Sequence, residues 1–300
     1  MRTPFQLLII TLKGIAMGAA DVVPGVSGGT IAFISGIYDE LLSSINAINL
    51  DALKTLFKKG FVSFWQEING SFLLVLFLGI IVSILSLAKG IEWMLHNHPE
   101  LLWAFFFGLV TASIFMIGKT VKWGVVSFVA LICGTVIAYY LTILPAMGDS
   151  NNKLFLFGAG FIAICAMILP GISGSFILLL IGAYRPVIEA LSGRDWVTLG
   201  VVGVGCVSGL LVFSRVLKWL LNHYRNITIA LLTGFLVGSL NKLWPWKEVI
   251  QSEVINGKTK VILEKSIAPY GENIHLIVFS AIGGLILLLG LEIIATKFKR

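Results

Sequence analysis

The sequence predicts an all-α polytopic membrane protein made of two inverted-topology repeats, each a broken or re-entrant helical hairpin followed by three transmembrane helices. Three observations predict it. Of the 300 residues, 57% are hydrophobic and only 12% are charged, about half the charged share of ordinary soluble domains. Apolar stretches recur that are long enough, at about 1.5 Å of rise per residue, to cross a hydrocarbon core of about 30 Å. A Pro-Gly-x-Ser-Gly string interrupts an apolar region in each half, at 24–28 and again at 170–174.

The first repeat occupies 1–150. Its region 5–48 is apolar but broken by Asp21, Pro24, Gly25, Ser27, Gly28 and Gly29, so a single straight helix is not expected there. A polar connector at 49–68 carries Lys54, Lys58 and Lys59, and spans follow near 71–95, 101–118 and 123–145. The second repeat, 151–300, opens with a broken region at 154–190, interrupted at Pro170, Gly171, Ser173 and Gly174. Spans near 197–221, 227–246 and 274–296 complete it, the last preceded by a hydrophilic loop at 247–273.

An internal alignment supports the division. A shift of 146 superposes Pro24, Gly25, Ser27, Gly28, Gly36 and Tyr38 on Pro170, Gly171, Ser173, Gly174, Gly182 and Tyr184. A shift of 126 superposes Gly79, Lys89, Trp93, Ala104 and Gly108 on Gly205, Arg215, Trp219, Ala230 and Gly234. The offset shortens by 20 because only the first half has the Lys-rich connector.

Charge sets the expected orientation. If each broken region returns to the side it entered from, Arg2, the connector, Lys119, Lys122, Arg225 and the tail 297–300 share one side, the cytoplasm by the positive-inside rule. Both termini are then cytoplasmic, Arg185 and Arg194 being mild exceptions, and three crossings per repeat turn the second half upside down. The net charge of +7 is dispersed over links between spans. That pattern suits anionic lipid headgroups and not nucleic acid. A signal-like start ends at Gly18, Ala19 and Ala20, but the apolar pattern runs on past it, so a retained segment is expected. Cys133, Cys165 and Cys206 lie in apolar spans, as small hydrophobes without disulfide or metal roles.

Broken helices opposed in an inverted repeat are the arrangement of alternating-access transporters. Helix ends leave backbone N–H groups unpaired, which hydrocarbon tolerates only where they line a cavity or hold a ligand. Gly25, Ser27, Gly28, Gly29 and Thr30 in one break, with Gly171, Ser173, Gly174 and Ser175 in the other, suit an anion. The same small residues also permit close helix packing. Lys89 and Arg215 are repeat equivalents. Each either snorkels to an interface or places a cation at one mouth of the site. Asp21, opposite Met167 in the alignment, either binds a coupling proton or cation, as in a proton or sodium gradient, or caps a short helix. Lys13, Asp39, Glu40, Glu92, Arg185 and Glu292 lie towards segment ends, where solvated or paired roles are expected.

Other chemistries fit less well. Residues 25–29 match G-x-S-x-G, which admits an intramembrane serine hydrolase or lipid phosphatase. His96, His98, His223 and His275 all stand at span ends or in links, however, and a single nucleophile does not require a duplicated serine. The break lacks the lysine of a phosphate-binding P-loop, and neither a metal cluster nor any other cofactor is indicated. An inorganic-anion transporter is the remaining alternative. A homodimer is admitted by the sequence and not dictated by it.

The string 20–30, Ala-Asp-Val-Val-Pro-Gly-Val-Ser-Gly-Gly-Thr, with Gly36-Ile37-Tyr38, the string 169–176, and Leu243-Trp244-Pro245-Trp246, resembles the bacterial polyprenyl-phosphate transporter family over nearly the whole chain. The resemblance implies a translocase, not an enzyme, for undecaprenyl phosphate in the bacterial cytoplasmic membrane, recycling the carrier lipid of peptidoglycan and other envelope polymers. The residues supply a reason for that substrate. A compact anionic head can rest against the Ser- and Gly-rich breaks while the apolar tail stays in lipid.

Overall fold

A computed structural model describes residues 2–22, 27–144, 150, 152–255, 258–271 and 273–297. The first half holds α1 (Pro4–Val22), α2 (Gly28–Ile34), α3 (Tyr38–Asn46), α4 (Leu50–Lys59), α5 (Phe61–Glu67), α6 (Gly70–Asn97), α7 (Pro99–Gly118) and α8 (Val125–Ile143). The second holds α9 (Lys153–Ile168), α10 (Gly174–Leu180), α11 (Tyr184–Ser192), α12 (Trp196–His223), α13 (Arg225–Leu243), β1 (Lys247–Ile255), β2 (Lys258–Ser266) and α14 (Ile274–Lys297).

Among the described residues, α1, α6, α7, α8, α12 and α13 are long and apolar enough to cross a membrane, and the chain is a multi-pass membrane protein. Two further apolar segments are shorter than these, Lys153–Ile168 of α9 and Ile274–Gly290 of α14. Exposed apolar side chains such as Phe77 and Leu85 on α6, Val136 on α8, Val204 on α12 and Phe279 on α14 mark the outer flank. About half of α7 and α13 is buried, against about a quarter of the others, so these two form the centre.

Four helix pairs make the bundle: α1 with α6, α9 with α12, α8 with α13, and α7 with α14. Each closes on glycine, because without a hydrophobic drive between helices in lipid it is close backbone approach that yields attraction. A methyl group added at Gly79 would sit 2.3 Å from the Thr11 carbonyl oxygen, and one at its repeat partner Gly205 2.2 Å from that of Phe157. Gly108 and Gly234 play the same part against Ala281 and Leu131. These are the glycines that the internal alignment superposes. In the last two pairs, the second long helix of one half packs on the third of the other.

The broken regions fold back on themselves. In the first half α2 runs back along α1, with Lys13 Nζ donating to the Ser35 carbonyl at 2.7 Å. Arg2, before α1, then pairs with Glu40 at the start of α3. In the second half, Ser150 N donates to the Gly182 carbonyl at 3.4 Å, and α10 and α11 meet at a bend of 109°. Gly36 and Gly182 close α2 and α10 at φ of 74° and 75°, left-handed values that glycine adopts without strain. Asp39 joins Arg225 at 2.8 Å and Lys122 N donates to Asn226 at 2.6 Å, so Arg2, α3, the start of α6 and the link 119–124 gather at one end of the bundle.

Two sequence expectations are refined. The connector 49–68 is helical: Asn49 Oδ1 accepts from the N–H groups of Asp51 and Ala52 to start α4, and Lys58 and Lys59 face the negative end of its dipole. The expected loop 247–273 contains an antiparallel hairpin in which Lys247 pairs with Ser266 and Ile255 with Lys258. The bundle is thus helical with one β-hairpin appended.

Candidate functional site

The two breaks meet. Ser27 has extended backbone, φ −131° and ψ 136°, and its Oγ accepts from Gly29 N at 3.0 Å, which starts α2 as an N-cap should. The same hydroxyl donates to the Met167 carbonyl at 2.7 Å across 140 residues. Thr30 Oγ1 accepts from Gly171 N at 2.8 Å, and Tyr38 OH donates to the Ile168 carbonyl at 3.0 Å. The Met167 and Ile168 carbonyls at the end of α9, and the N–H of Gly171 after it, are therefore satisfied by side chains of the first broken region. Gly29 allows this approach, since a methyl there would lie 2.6 Å from the Met167 carbonyl oxygen.

Asp21 lies at the end of α1, where its Oδ1 accepts from Gly28 N at 2.6 Å. The carboxylate thus caps α2, and a methyl at Gly28 would meet it at 2.5 Å. Of the residues expected at the site, Gly25 lies outside the described residues.

The second break is arranged differently. Ser173 is buried and its Oγ lies 3.0 Å from that of the exposed Ser175. A methyl at Gly171, whose φ is 88°, would lie 2.8 Å from the Phe235 carbonyl oxygen, and one at Gly174 2.8 Å from that of Ala163. Gly171, Ile172, Ser173 and Phe176 form one wall of a narrow cleft whose other walls are Ala138, Leu141 and Thr142 of α8 and Lys242 of α13. One break is closed by hydrogen bonds, and the other borders a cleft.

Lys242 belongs to a cluster that the sequence reading did not find. Its Nζ donates to Glu264 Oε1 at 2.7 Å and lies 4.9 Å from the centre of the Phe176 ring. Lys247 Nζ donates to the same Oε1 at 2.7 Å and to the Lys242 carbonyl at 2.6 Å, and sits 4.2 Å over the Trp103 ring. Burial pushes the Lys247 ammonium down to about 8, against the opposing pull of Glu264. Burial works to raise the Glu264 carboxyl, but the two ammonium groups together hold it below the usual carboxylate range. Trp244 Nε1 donates to the Ile267 carbonyl at 2.9 Å and Trp246 Nε1 to that of Tyr270 at 3.1 Å, which fastens the hairpin to the bundle. The Leu-Trp-Pro-Trp string was the available signal, since it marks where α13 hands over to the hairpin.

Lys89 and Arg215 are not brought to the breaks. Both are exposed on the outer flanks of α6 and α12, and neither makes a hydrogen bond or ion pair with another described residue. Glu92 and Glu292 have side chains outside the described set.

A family profile described as undecaprenyl phosphate translocase-like matches residues 17–261. The chain is 48% identical over 261 residues to a Vibrio cholerae protein named polyprenyl-phosphate transporter, covering 86% of this chain and 85% of that protein. It is 33% identical over 254 residues to a Staphylococcus aureus protein of the same name, covering 78% and 85%. No solved structure matches the chain.

Proposed function

We propose a function from the premise that the chain belongs to the undecaprenyl phosphate translocase-like family. It is a transporter and not an enzyme, moving undecaprenyl phosphate between the leaflets of the bacterial cytoplasmic membrane so that the carrier is reused in peptidoglycan and envelope synthesis. The names of the two relatives support the substrate class. The observation that carries the mechanism is the direct bonding of one break to the other by Ser27, Thr30 and Tyr38.

In this reading the halves are inverted repeats and the broken regions are re-entrant. The return of Arg2 to Glu40 at one end and of Ser150 to Gly182 at the other supports it, as do the equal lengths of α2 and α10, α3 and α11, and α6 and α12. The end holding Arg2, Lys119, Lys122 and Arg225 faces the cytoplasm, with both termini. Transport proceeds by rocking of one half against the other: the bonds between breaks seal one side while the cleft at Ser173 serves the other, and the reverse state exchanges the roles. The phosphate meets the Ser- and Gly-rich breaks at Ser27, Gly28, Gly29, Thr30, Gly171, Ser173, Gly174 and Ser175, while the tail remains in lipid. Lys89 and Arg215, on the outer flanks, attract headgroups before they reach the breaks. Asp21 couples transport to a proton or sodium gradient by releasing Gly28 N when it binds the ion.

The test uses purified protein in vesicles containing undecaprenyl phosphate. An impermeant phosphatase added outside consumes only the outer-leaflet lipid unless the protein exchanges the leaflets, in which case all of it is consumed. Without phosphatase the lipid must stay chemically unchanged, which a hydrolase would not allow. Excess inorganic phosphate must leave the exchange intact, which an inorganic-anion exchanger would not allow.

A further inference from the structure

We infer that Lys242 and Lys247, gathered on Glu264 at the mouth of the second break, are the receptor for the substrate's phosphate monoester, and that the Glu264 carboxylate holds the place of that anion until the substrate arrives. The inference rests on the lipid-phosphate reading and deepens it.

Charge is the first argument. Two ammonium groups share one carboxylate oxygen, Glu264 Oε1, at 2.7 Å each. No second described carboxylate bonds to either, so the cluster keeps one positive charge in surplus. The three side chains are only 8 to 16% exposed, and a charge so far removed from water is costly unless paired. A phosphate dianion that takes the place of Glu264 would match the charge of the two ammonium groups.

Position is the second argument. Lys242 lies in the wall of the cleft that Gly171 and Ser173 also line, so the cation and the break face one space. That space has room for about one water and none for a phosphate tetrahedron. Access therefore requires the Glu264 carboxylate to leave Lys242, which the phosphate accomplishes by exchanging one anion for another. Thr142 and Leu141 form the wall towards α8, whose Ile137, Tyr139 and Tyr140 are exposed on the apolar flank. A prenyl tail can lie along that flank while the head occupies the cluster. The cluster sits at the hairpin end, the outer side in the orientation proposed above, which assigns it to capture from the outer leaflet.

Binding of undecaprenyl phosphate and of inorganic phosphate to the full chain in lipid nanodiscs tests this, with thermal unfolding read in parallel. Lys242→Gln should weaken lipid binding about tenfold, as expected for loss of a charge-assisted hydrogen bond, and Lys242→Arg should restore most of it. Measured on the acid side of the Lys247 titration, where both lysines keep their protons, Glu264→Gln should tighten binding several-fold, because it raises the surplus charge without removing the acceptor oxygen. Lys58→Gln, on the distant connector, should match the native chain. If Lys242→Gln and Glu264→Gln unfold at the native temperature and bind the lipid with native affinity, the inference is overturned, while exchange by the native protein leaves the translocase reading standing. Should Lys242→Gln misfold, the tightening in Glu264→Gln decides alone. If the native chain binds inorganic phosphate through Lys242 and ignores the lipid, the receptor stands and the lipid substrate falls.

Discussion

The Ser27 hydroxyl donates a 2.7 Å hydrogen bond to the Met167 carbonyl oxygen, joining the start of α2 to the end of α9. Ser27 is fully buried and Met167 is its partner across 140 residues. Because Gly29 N also relies on this hydroxyl, one oxygen both starts a helix in the first half and satisfies a helix end in the second.

Ser27→Ala should therefore lower stability by about 1–3 kcal/mol, since it strands the carbonyl of half-buried Met167 and removes a cap. Ser173→Ala, whose hydroxyl hydrogen-bonds only to Ser175 among the described residues, should stay within about 0.5 kcal/mol of native. Thermal unfolding in detergent separates the two. Leaflet exchange should fall in the double variant, and native exchange there would remove the serines from the phosphate site.

Tyr38 tests the second strut between the breaks. Its hydroxyl reaches the Ile168 carbonyl at 3.0 Å, and its ring packs edge-on to Phe33 with centroids 5.1 Å apart. Tyr38→Phe keeps the packing and loses the bond, so about 1 kcal/mol of stability should go. A sealed state held partly by this bond should also open more readily. Faster labelling of a cysteine placed at Thr30 would register that, and an unchanged labelling rate would deny Tyr38 a part in the seal.

Helix packing offers a contrast within one helix. Gly79→Leu must force α1 from α6, because even the first carbon of the new side chain lies 2.3 Å from the Thr11 carbonyl oxygen. Gly90→Leu, on the same helix, meets nothing within 4 Å. Folded yield from membranes should collapse for the first and hold for the second. Equal yields would show that the α1–α6 contact is not needed for assembly.

Much of this architecture was legible because lipid imposes a simple rule. Spans expected near 71–95 and 197–221 are helices at Gly70–Asn97 and Trp196–His223, since a long apolar run in hydrocarbon has few alternatives to a helix. Helix restarts at Gly28 and Gly174 follow from the Ser-Gly pairs in the breaks. What hydropathy does not carry is rotational phase. Lys89 stands four residues from Leu85 and from Trp93, which are 76% and 59% exposed, so it shares their outward face. Arg215 shares the face of Trp219, 52% exposed. Reading these cations as mouths of the central site required a helix face that residue spacing along an all-apolar span does not reveal. The Lys242, Lys247 and Glu264 cluster was hidden for another reason: Glu264 arrives through a hairpin that Trp244 and Trp246 fasten to the bundle from outside its strands.

The cluster also predicts opposite responses of binding and stability to alkali. Lys247 is held near 8 by burial, against the attraction of Glu264 and with the repulsion of Lys242, while Trp103 covers its remaining face. Its charged form is the one that attracts phosphate, so affinity should fall as pH rises through about 8. On the acid side the second ionisation of a phosphate monoester lies near 6, so affinity should also fall as pH drops below about 6. A maximum near neutrality follows. Stability without ligand runs the other way at high pH. The folded value lies below the unfolded lysine value of about 10.4, so charging Lys247 costs the folded state most at neutral pH, and that cost fades between about 8 and 10. Glu264→Gln removes the attraction that keeps Lys247 protonated and should move the alkaline limb of binding to lower pH. Affinity and melting temperature measured from pH 5 to 9.5 would expose both trends. An alkaline limb at the same pH in Glu264→Gln would mean that some group other than Lys247 governs it.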